Sequence, residues 1–119
     1  MPIETFEFDS IIIDGKKYNH DILILPDGTI EKRKASTRFG IGNHLINKKE
    51  INELVKSNPE VIIVGTGTNA WAQLANDAEL CAKEAMIELI ALPSEKVKEL
   101  FNQLIHEGKR VAALIHITC

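Results

Sequence analysis

The hydrophobic pattern is clearest in the middle of the chain, where residues 61–64 are consecutive apolar β-branched residues. Such a run is typical of a strand buried on both faces, as in a parallel sheet. The run leads directly into Gly65 and Gly67, with Thr66 and Thr68 beside them. Because glycine accepts a positive φ or a close neighbour, we predict a tight turn whose hydroxyls and free amides could cradle an anion or a carbonyl group.

Helical and strand patterns alternate in the rest of the second half. Residues 86–91 and 111–118 have the composition of buried strands, and residues 97–105 repeat apolar positions at helical spacing. Asp77 is predicted to cap a shorter helix that carries Leu80, Cys81 and Ala85, and Ser94 to cap the last helix. Together with the central strand, this order predicts parallel strands joined by right-handed crossovers.

The first third of the chain has a different pattern. Apolar segments within residues 6–13 and 22–25 are each followed by a turn signal, and a shorter strand begins at Ile30. We predict an antiparallel meander here. Asn47 then begins a helix, with Glu50 in the position that completes a capping box. The expected fold is a single α/β domain spanning residues 1–119, in which an N-terminal antiparallel meander and βαβαβ parallel strands form a mixed sheet.

The predicted topology gives a place for a binding site. In open sheets the ligand crevice lies beyond the carboxyl ends of the parallel strands, and the turns at residues 65–68 and 93–94 fall on that edge. Asn102 lies among apolar helix positions, where a buried amide needs partners, which the glycine turn could supply. A glycine-containing loop, residues 39–44, follows a short basic stretch and has polar groups that could face a cleft. The candidate ligand- or partner-binding residues are Gly65, Thr66, Gly67, Thr68, Ser94, Asn102 and His44.

The glycine turn and the tryptophan after it each allow a more specific interpretation. Gly65, Gly67 and Ala70 match the loose form of the dinucleotide-binding fingerprint, but a true fingerprint opens a long helix, whereas residues 76–77 interrupt the segment that follows. We therefore favour a structural turn over a nucleotide site and expect no cofactor. Trp71 follows the turn closely and could either stack on a ligand or belong to the core.

The composition of the chain limits which classes of binding partner are expected. A net charge of -3 gives no electrostatic reason to expect nucleic acid or an anionic membrane. His116 and Cys119 are three residues apart, which places their side chains on opposite faces of a strand, so no metal site is expected. With only two cysteines, no signal-peptide pattern and no long apolar run, the expectation is a cytoplasmic protein. Self-association stays open.

Several segments, taken together, resemble a family of small uncharacterised archaeal and bacterial proteins. They are residues 59–67, 92–94, 101–102 and 108–113. The mitochondrial members of this family include a complex I assembly factor, and another animal member is the adipogenesis-associated domain protein. The resemblance implies a three-layer arrangement around a mixed sheet. It matches residues 65–67 to the family's glycine turn and Phe101-Asn102 to its aromatic-asparagine pair, while Ser94 stands where threonine is usual and Val97 where alanine is usual.

The family has no agreed enzymatic activity, and the role of its mitochondrial members implies protein partners. Our leading hypothesis is a non-enzymatic binding or assembly-type protein that uses the predicted crevice, with an unknown protein or small molecule as partner. The alternative is a small-molecule enzyme or ligand carrier that uses the same crevice. A third possibility is that the glycines serve only the fold.

Overall fold

The computed structural model describes residues 3–33, 45–69 and 72–118. These residues form ten strands, three α-helices and one short 3₁₀ helix, Ser94–Lys96. The strands are β1 (Ile3–Glu7), β2 (Ser10–Ile13), β3 (Lys16–Tyr18), β4 (Ile22–Ile24), β5 (Ile30–Lys32), β6 (Leu45–Ile46), β7 (Val61–Thr66), β8 (Gln73–Leu74), β9 (Glu88–Leu92) and β10 (Val111–His116). The helices are α1 (Lys48–Val55), α2 (Asn76–Glu84) and α3 (Val97–His106).

The central sheet is mixed, as predicted. Its five strands lie in the order β5-β4-β10-β7-β9. Strand β10 is parallel to β7, and β7 is parallel to β9, whereas β4 is antiparallel to both β10 and β5. The predicted β7-α2-β9-α3-β10 order is therefore confirmed, with β7 and β10 as neighbours in the middle of the sheet.

Alternating residues of the central strands face two separate cores, which explains why β7 is apolar throughout. Val61 and Ile63 belong to the core that contains Phe101 of α3 and the first two strands. Ile62 and Val64 belong to the core formed with α1 and α2. The sheet is thus covered on both faces, in three layers, as buried parallel strands require.

The opening third of the chain divides between two sheets. Strands β1, β2 and β3 form an antiparallel sheet of their own, which packs on the α3 side of the central sheet. Strands β4 and β5 join the central sheet as a hairpin beside β10. The predicted meander is therefore present, and Lys16–Tyr18 adds a strand that was not predicted.

Helix α1 begins as predicted, whereas α2 does not. The Asn47 side chain accepts a hydrogen bond from the Glu50 N–H at 3.0 Å, so Asn47 caps α1. Helix α2 begins before Asp77, its N-cap residue is Ala75, and no side chain bonds there. Its buried residues are Ala78 and Ala82, and Leu80 is 52% exposed. Small alanines, not Leu80, therefore face the core from this helix.

Other element boundaries also differ from the predictions. Strand β9 begins at Glu88 because Met86 has a positive φ of 60° and its N–H completes the end of α2 by bonding to the Lys83 carbonyl. Strand β10 ends at His116. Strands β6 and β8 form a short parallel pair.

Candidate functional site

The two glycines of the predicted turn have different structural roles. Gly65 lies inside β7, where it pairs with Ile115 and Leu92 on the two neighbouring strands. A Cβ on Gly65 would lie 2.7 Å from Ser94 Oγ and 3.1 Å from Val97 Cγ2. Gly67 follows the strand and has a positive φ of 98°. Gly65 is thus required by close packing and Gly67 by backbone conformation.

Ser94 joins three elements at the carboxyl ends of the parallel strands. Its hydroxyl accepts a hydrogen bond from the Gly67 N–H at 2.8 Å and donates one to the His116 carbonyl at 2.6 Å. Its own N–H donates to the Gly67 carbonyl at 3.1 Å. The prediction that Ser94 caps the last helix was wrong: the hydroxyl makes no cap bond and is buried between the strands.

The amides of the glycine turn are not free, contrary to our prediction. The Gly67 N–H is bonded to Ser94, and the Thr68 N–H donates to the Thr118 carbonyl at 2.7 Å. The Thr66 hydroxyl donates to the Leu92 carbonyl at 3.1 Å. Only the Thr68 hydroxyl differs, since its oxygen is buried without a hydrogen-bond partner among the described residues. The turn is therefore largely saturated by internal bonds.

Next to this turn lies a network of buried ionisable groups, which sequence analysis missed. The Arg33 guanidinium contacts Asp21 Oδ2 at 2.8 Å and Glu50 Oε2 at 2.6 Å. His116 Nδ1 lies 2.7 Å from the same oxygen of Asp21, and the Ile117 N–H donates to the other oxygen at 2.9 Å. The side chains of Arg33 and His116 are each 1% exposed.

The contacts within this network favour the charged forms of Asp21 and Arg33. Burial disfavours the charged form of Asp21, but the hydrogen bonds from His116, the Ile117 N–H and Arg33 outweigh it and hold the pKa of Asp21 below its ordinary value. Burial likewise opposes the charge on Arg33, while the Glu50 and Asp21 carboxylates raise its pKa. Both groups therefore stay ionised at neutral pH, as a paired arrangement requires.

A small open cavity of about 220 Å³ lies beside this network. Its described lining is mostly polar and consists of Asp9, Asn19, His20, Asp21, Lys32, Arg33, Ile117 and Thr118. This cavity lies at the edge of the sheet where the carboxyl-end crevice was predicted. Of the predicted site residues that belong to the described part of the chain, none lines it.

The Asn102 side chain makes hydrogen bonds with β1 and none with the glycine turn among the described residues. Its side-chain amide donates to the Ile3 carbonyl at 2.9 Å, and its oxygen accepts from the Ile3 N–H at 2.8 Å. The partner of this amide is thus the backbone of β1, and the predicted partner was wrong. The bonds tie α3 to the N-terminal sheet. Since a carboxamide can make four hydrogen bonds, one donor and one acceptor position of Asn102 remain beyond those to Ile3.

Asn102 also lines the larger of the two cavities described here, at the opposite end of the sheet. This cavity, of about 640 Å³, is open to solvent and lies where β10 begins and α3 ends; we call it the amino-end pocket. Its described lining comprises Leu25, Pro26, Asp27, Gly28, Phe101, Asn102, Ile105, His106, Gly108, Lys109, Arg110 and Val111. Apolar side chains from α3, from the start of β10 and from the turn after β4 form much of this wall.

Basic side chains predominate among the ionisable groups of the amino-end pocket. Lys109 and Arg110 follow α3, and His106 is in its last turn. Arg110 Nε donates to the Asn58 carbonyl at 3.0 Å. Asp27 is the acid of this lining, and hydrogen bonds from Thr29 keep its pKa below the ordinary value. The chain carries a net charge of -3, so this local excess of positive charge runs against its overall balance.

Some predicted residues lie outside the described part of the chain. They are His44, the basic positions after Arg33, Ala70, Trp71 and Cys119. Within residues 3–33, 45–69 and 72–118, no group of three His, Cys, Asp or Glu side chains has the proximity of a metal site. None of the helices in these ranges combines the length and apolar character needed to cross a membrane.

The sequence matches the model of a protein family over residues 3–116, almost the whole chain. The family is described as a protein of unknown function, DUF498/DUF598. The chain belongs to the DUF498/DUF598 family. This membership agrees with the expected resemblance to an uncharacterised family, and it assigns no activity.

Solved structures with the same fold support the family assignment. A conserved hypothetical protein from Pyrococcus horikoshii OT3 is 31% identical, with a TM-score of 0.82 and full coverage of both chains. A protein named MT938 is 28% identical, with a TM-score of 0.84 and coverage of 99% of this chain and 98% of the other. An Mth938-like domain from Bordetella pertussis, 15% identical, shares the fold with a TM-score of 0.74, covering 98% of this chain and 85% of its own. The fold prediction is therefore confirmed by the solved structures of similar proteins.

The residues missed by sequence analysis are those joined by long-range contacts. Asp21 and His116 are 95 positions apart, and nothing local to either residue predicts their pairing. Glu50 had a local explanation, the capping box, which hid its bonds to Arg33. The only signal was His116 itself, a polar residue within an otherwise apolar strand pattern.

Proposed function

We propose that this member of the DUF498/DUF598 family binds a small molecule in the amino-end pocket without converting it. The observation that carries the proposal is the pocket itself: about 640 Å³, with an apolar wall and a few polar groups at its edge. Ligand sites in proteins have about 300–1,000 Å³ and this kind of lining. The proposal keeps the ligand-carrier alternative of the sequence analysis but moves it to the other end of the sheet.

Binding is favoured over catalysis by how the ionisable groups are arranged. Among the described lining residues of the pocket, Asp27 is engaged by its own turn and Arg110 by the Asn58 carbonyl. General acid–base catalysis needs titratable groups aimed at a reacting atom and tuned by their neighbours. The strongly coupled groups, Asp21, Arg33 and His116, lie at the opposite end of the sheet and bond to one another.

The test is an amide-resolved NMR screen of ¹⁵N-labelled protein against a mixed set of acidic, basic and neutral fragments. We expect at least one class to shift the amide signals of Gly28, Asn102 and Gly108, while those of Thr68 and Ile117, at the far end of β10, serve as the internal control. If fragments of all three classes leave the pocket signals unmoved, the proposed function is wrong. Native mass spectrometry of freshly purified protein adds a second readout, a retained small-molecule mass.

A second candidate function, assembly with a protein partner at the carboxyl-end crevice, is favoured by one observation. The Thr68 hydroxyl is buried next to the glycine turn and has no hydrogen-bond partner among the described residues, which is costly unless something else bonds to it. The residues proposed for this surface are Gly65, Thr66, Gly67, Thr68 and Ser94. The role in complex I assembly that the resemblance implies would fall under this candidate.

Thr68→Val tests this second candidate. The substitution replaces the hydroxyl with a methyl group of similar shape, so stability should hold or rise. A protein species retained by the wild type in native mass spectrometry, and released by this variant, is the expected result. Equal retention by both proteins, or no retained species in either, counts against the candidate.

A further inference from the structure

We propose that the ligand of the amino-end pocket is a small organic acid with an apolar body. This inference rests on the proposed function and specifies the chemical class of what binds. Its two requirements come from two parts of the pocket. The wall calls for an apolar body, and the basic residues at the end of α3 call for a negative charge.

The apolar requirement follows from the burial of the lining. Leu25 and Ile105 line the pocket and are only half-buried, whereas Phe101 and Val111, which also line it, are already fully buried in the core. A ligand that covers Leu25 and Ile105 removes apolar surface from water, on itself and on the protein. Each methylene group that is buried in this way contributes roughly a fourfold increase in affinity.

The charge requirement follows from the chain after α3. Lys109 is exposed, and none of the ion pairs among the described residues involves its amine. Arg110 is held by the Asn58 carbonyl and is 3.9 Å from Glu60. The acid across the pocket, Asp27, accepts a bond from the Thr29 N–H. Lys109 is therefore the group best placed to meet a carboxylate.

The end of α3 does not oppose an anion as strongly as an open helix terminus would. A helix C-terminus carries partial negative charge because its last carbonyls lack partners. Here the Gly108 N–H bonds to the Ile105 carbonyl and the Lys109 N–H to the Leu104 carbonyl, with Gly108 at a φ of 81°. This left-handed cap gives hydrogen-bond partners to the Leu104 and Ile105 carbonyls of the last turn. Asn102 lines the pocket, and its second amide N–H is a candidate neutral donor to a carboxylate oxygen.

The experiment compares three probes with the same eight-carbon chain: octanoate, octylammonium and octanol. Binding to the full chain is followed by the amide shifts of Gly28, Asn102 and Gly108. We expect octanoate to bind roughly threefold to fivefold more tightly than either other probe, the effect of about one favourable ion pair with an exposed lysine. In the series butanoate, hexanoate and octanoate, affinity should rise by roughly fourfold per methylene.

Two charge reversals locate the contact. Lys109→Glu should weaken octanoate roughly tenfold and leave octanol within about twofold of the wild type. Lys83→Glu is the matched control, since Lys83 is an exposed lysine on α2, which packs on the other face of the sheet. It should leave the affinity for every probe within about twofold.

The outcomes separate this inference from the proposed function. If octylammonium or octanol binds as tightly as octanoate, the acid class is wrong and the pocket still binds small molecules. If Lys83→Glu weakens octanoate as much as Lys109→Glu does, the effect is one of overall charge and the assignment to the pocket rim is overturned. If no probe of any charge shifts the pocket amides, the inference and the proposed function both fail.

Discussion

The two ends of the central sheet use polar residues in opposite ways. At the carboxyl ends of β7 and β10, the polar groups bond to one another: Ser94 joins the glycine turn to His116, and Asp21 joins His116 to Arg33. At the amino end of β10, basic side chains lie beside the apolar wall of an open pocket, and Lys109 has no ion-pair partner among the described residues. The first arrangement stabilises the fold, and the second leaves bonding capacity for a ligand.

This difference teaches that position in a fold does not by itself identify a site. In open α/β sheets the ligand crevice lies at the carboxyl ends of the strands, and our sequence analysis placed the site there. In this chain that edge is covered by the Asp21–Arg33–Glu50–His116 network, and the described cavity beside it is about a third as large as the amino-end pocket. A site must be argued from the groups that remain able to bond.

The largest expected effect is on stability at the carboxyl end. Asp21→Ala removes an acid that meets Arg33, His116 and the Ile117 N–H, and it takes one of the two described carboxylate partners from the buried guanidinium. We expect a loss of roughly 3–5 kcal/mol in the free energy of unfolding, measured by urea denaturation. Asp27→Ala is the control, an exposed acid at the amino end whose hydrogen bonds among residues 3–33, 45–69 and 72–118 stay within its own turn.

If Asp21→Ala and Asp27→Ala lowered the free energy of unfolding by the same amount, the proposed difference between the two ends of the sheet would be contradicted. A small effect of Asp21→Ala would mean that water or a rearranged Glu50 replaces the lost carboxylate. It would also mean that the carboxyl-end network is no more essential to the fold than the exposed groups of the pocket.

The next effect comes from the close packing of Gly65 against Ser94. Gly65→Ala places a methyl group 2.7 Å from Ser94 Oγ and should cost about 1–3 kcal/mol. Ser94→Ala leaves the Gly67 N–H and the His116 carbonyl without their buried partner and should cost a similar amount. In the double variant the methyl group gains the space of the lost oxygen, so the combined loss should fall short of the sum by on the order of 1 kcal/mol.

Strict additivity of the two substitutions would contradict this account. It would show that Gly65 is required by something other than the contact with Ser94, for instance by the Val97 and Ile115 methyl groups that also lie near it. The measurement is the same denaturation experiment on the four proteins of the cycle.

A third prediction concerns pH. The pKa of Asp21 is lower in the folded protein than its ordinary value of 3.8, because hydrogen bonds to its charged form outweigh the effect of burial. The unfolded chain therefore binds more protons in the acid range, and stability is lost as the pH falls below that ordinary value. Asp21→Asn should flatten the dependence of the urea midpoint on pH when it is measured from about pH 6 to about pH 3.

Some acid dependence should persist in Asp21→Asn, since the pKa values of Asp27 and Glu60 are also lowered, by the Thr29 N–H and the Arg110 N–H respectively. Both groups are exposed, so their share should be the smaller one. An unchanged slope in Asp21→Asn would assign the acid sensitivity to these exposed groups instead of the buried network.

The sequence predicts the fold well because the fold depends on local patterns. The four apolar residues of β7 and the helical spacing of α3 identify their elements, and Asn47 marks the start of α1. The site is harder because it depends on contacts between distant residues. Asn102 pairs with Ile3 across 99 positions, and no local signal could distinguish that partner from the glycine turn. Ser94 illustrates the same limit, since a serine before a helix predicts a cap until the neighbouring strands are known.

The smallest expected effect on stability belongs to the amino end. Lys109→Glu should change the free energy of unfolding by less than about 0.5 kcal/mol, as should Lys83→Glu, because both side chains are exposed. Lys109 does influence its surroundings, since its charge contributes to the lowered pKa of Glu60. Solvent screens that interaction, so reversing the charge should cost little. A loss above about 1 kcal/mol in Lys109→Glu alone would mean that Lys109 is part of the structure in the way Asp21 is, and it would then not be available for a ligand.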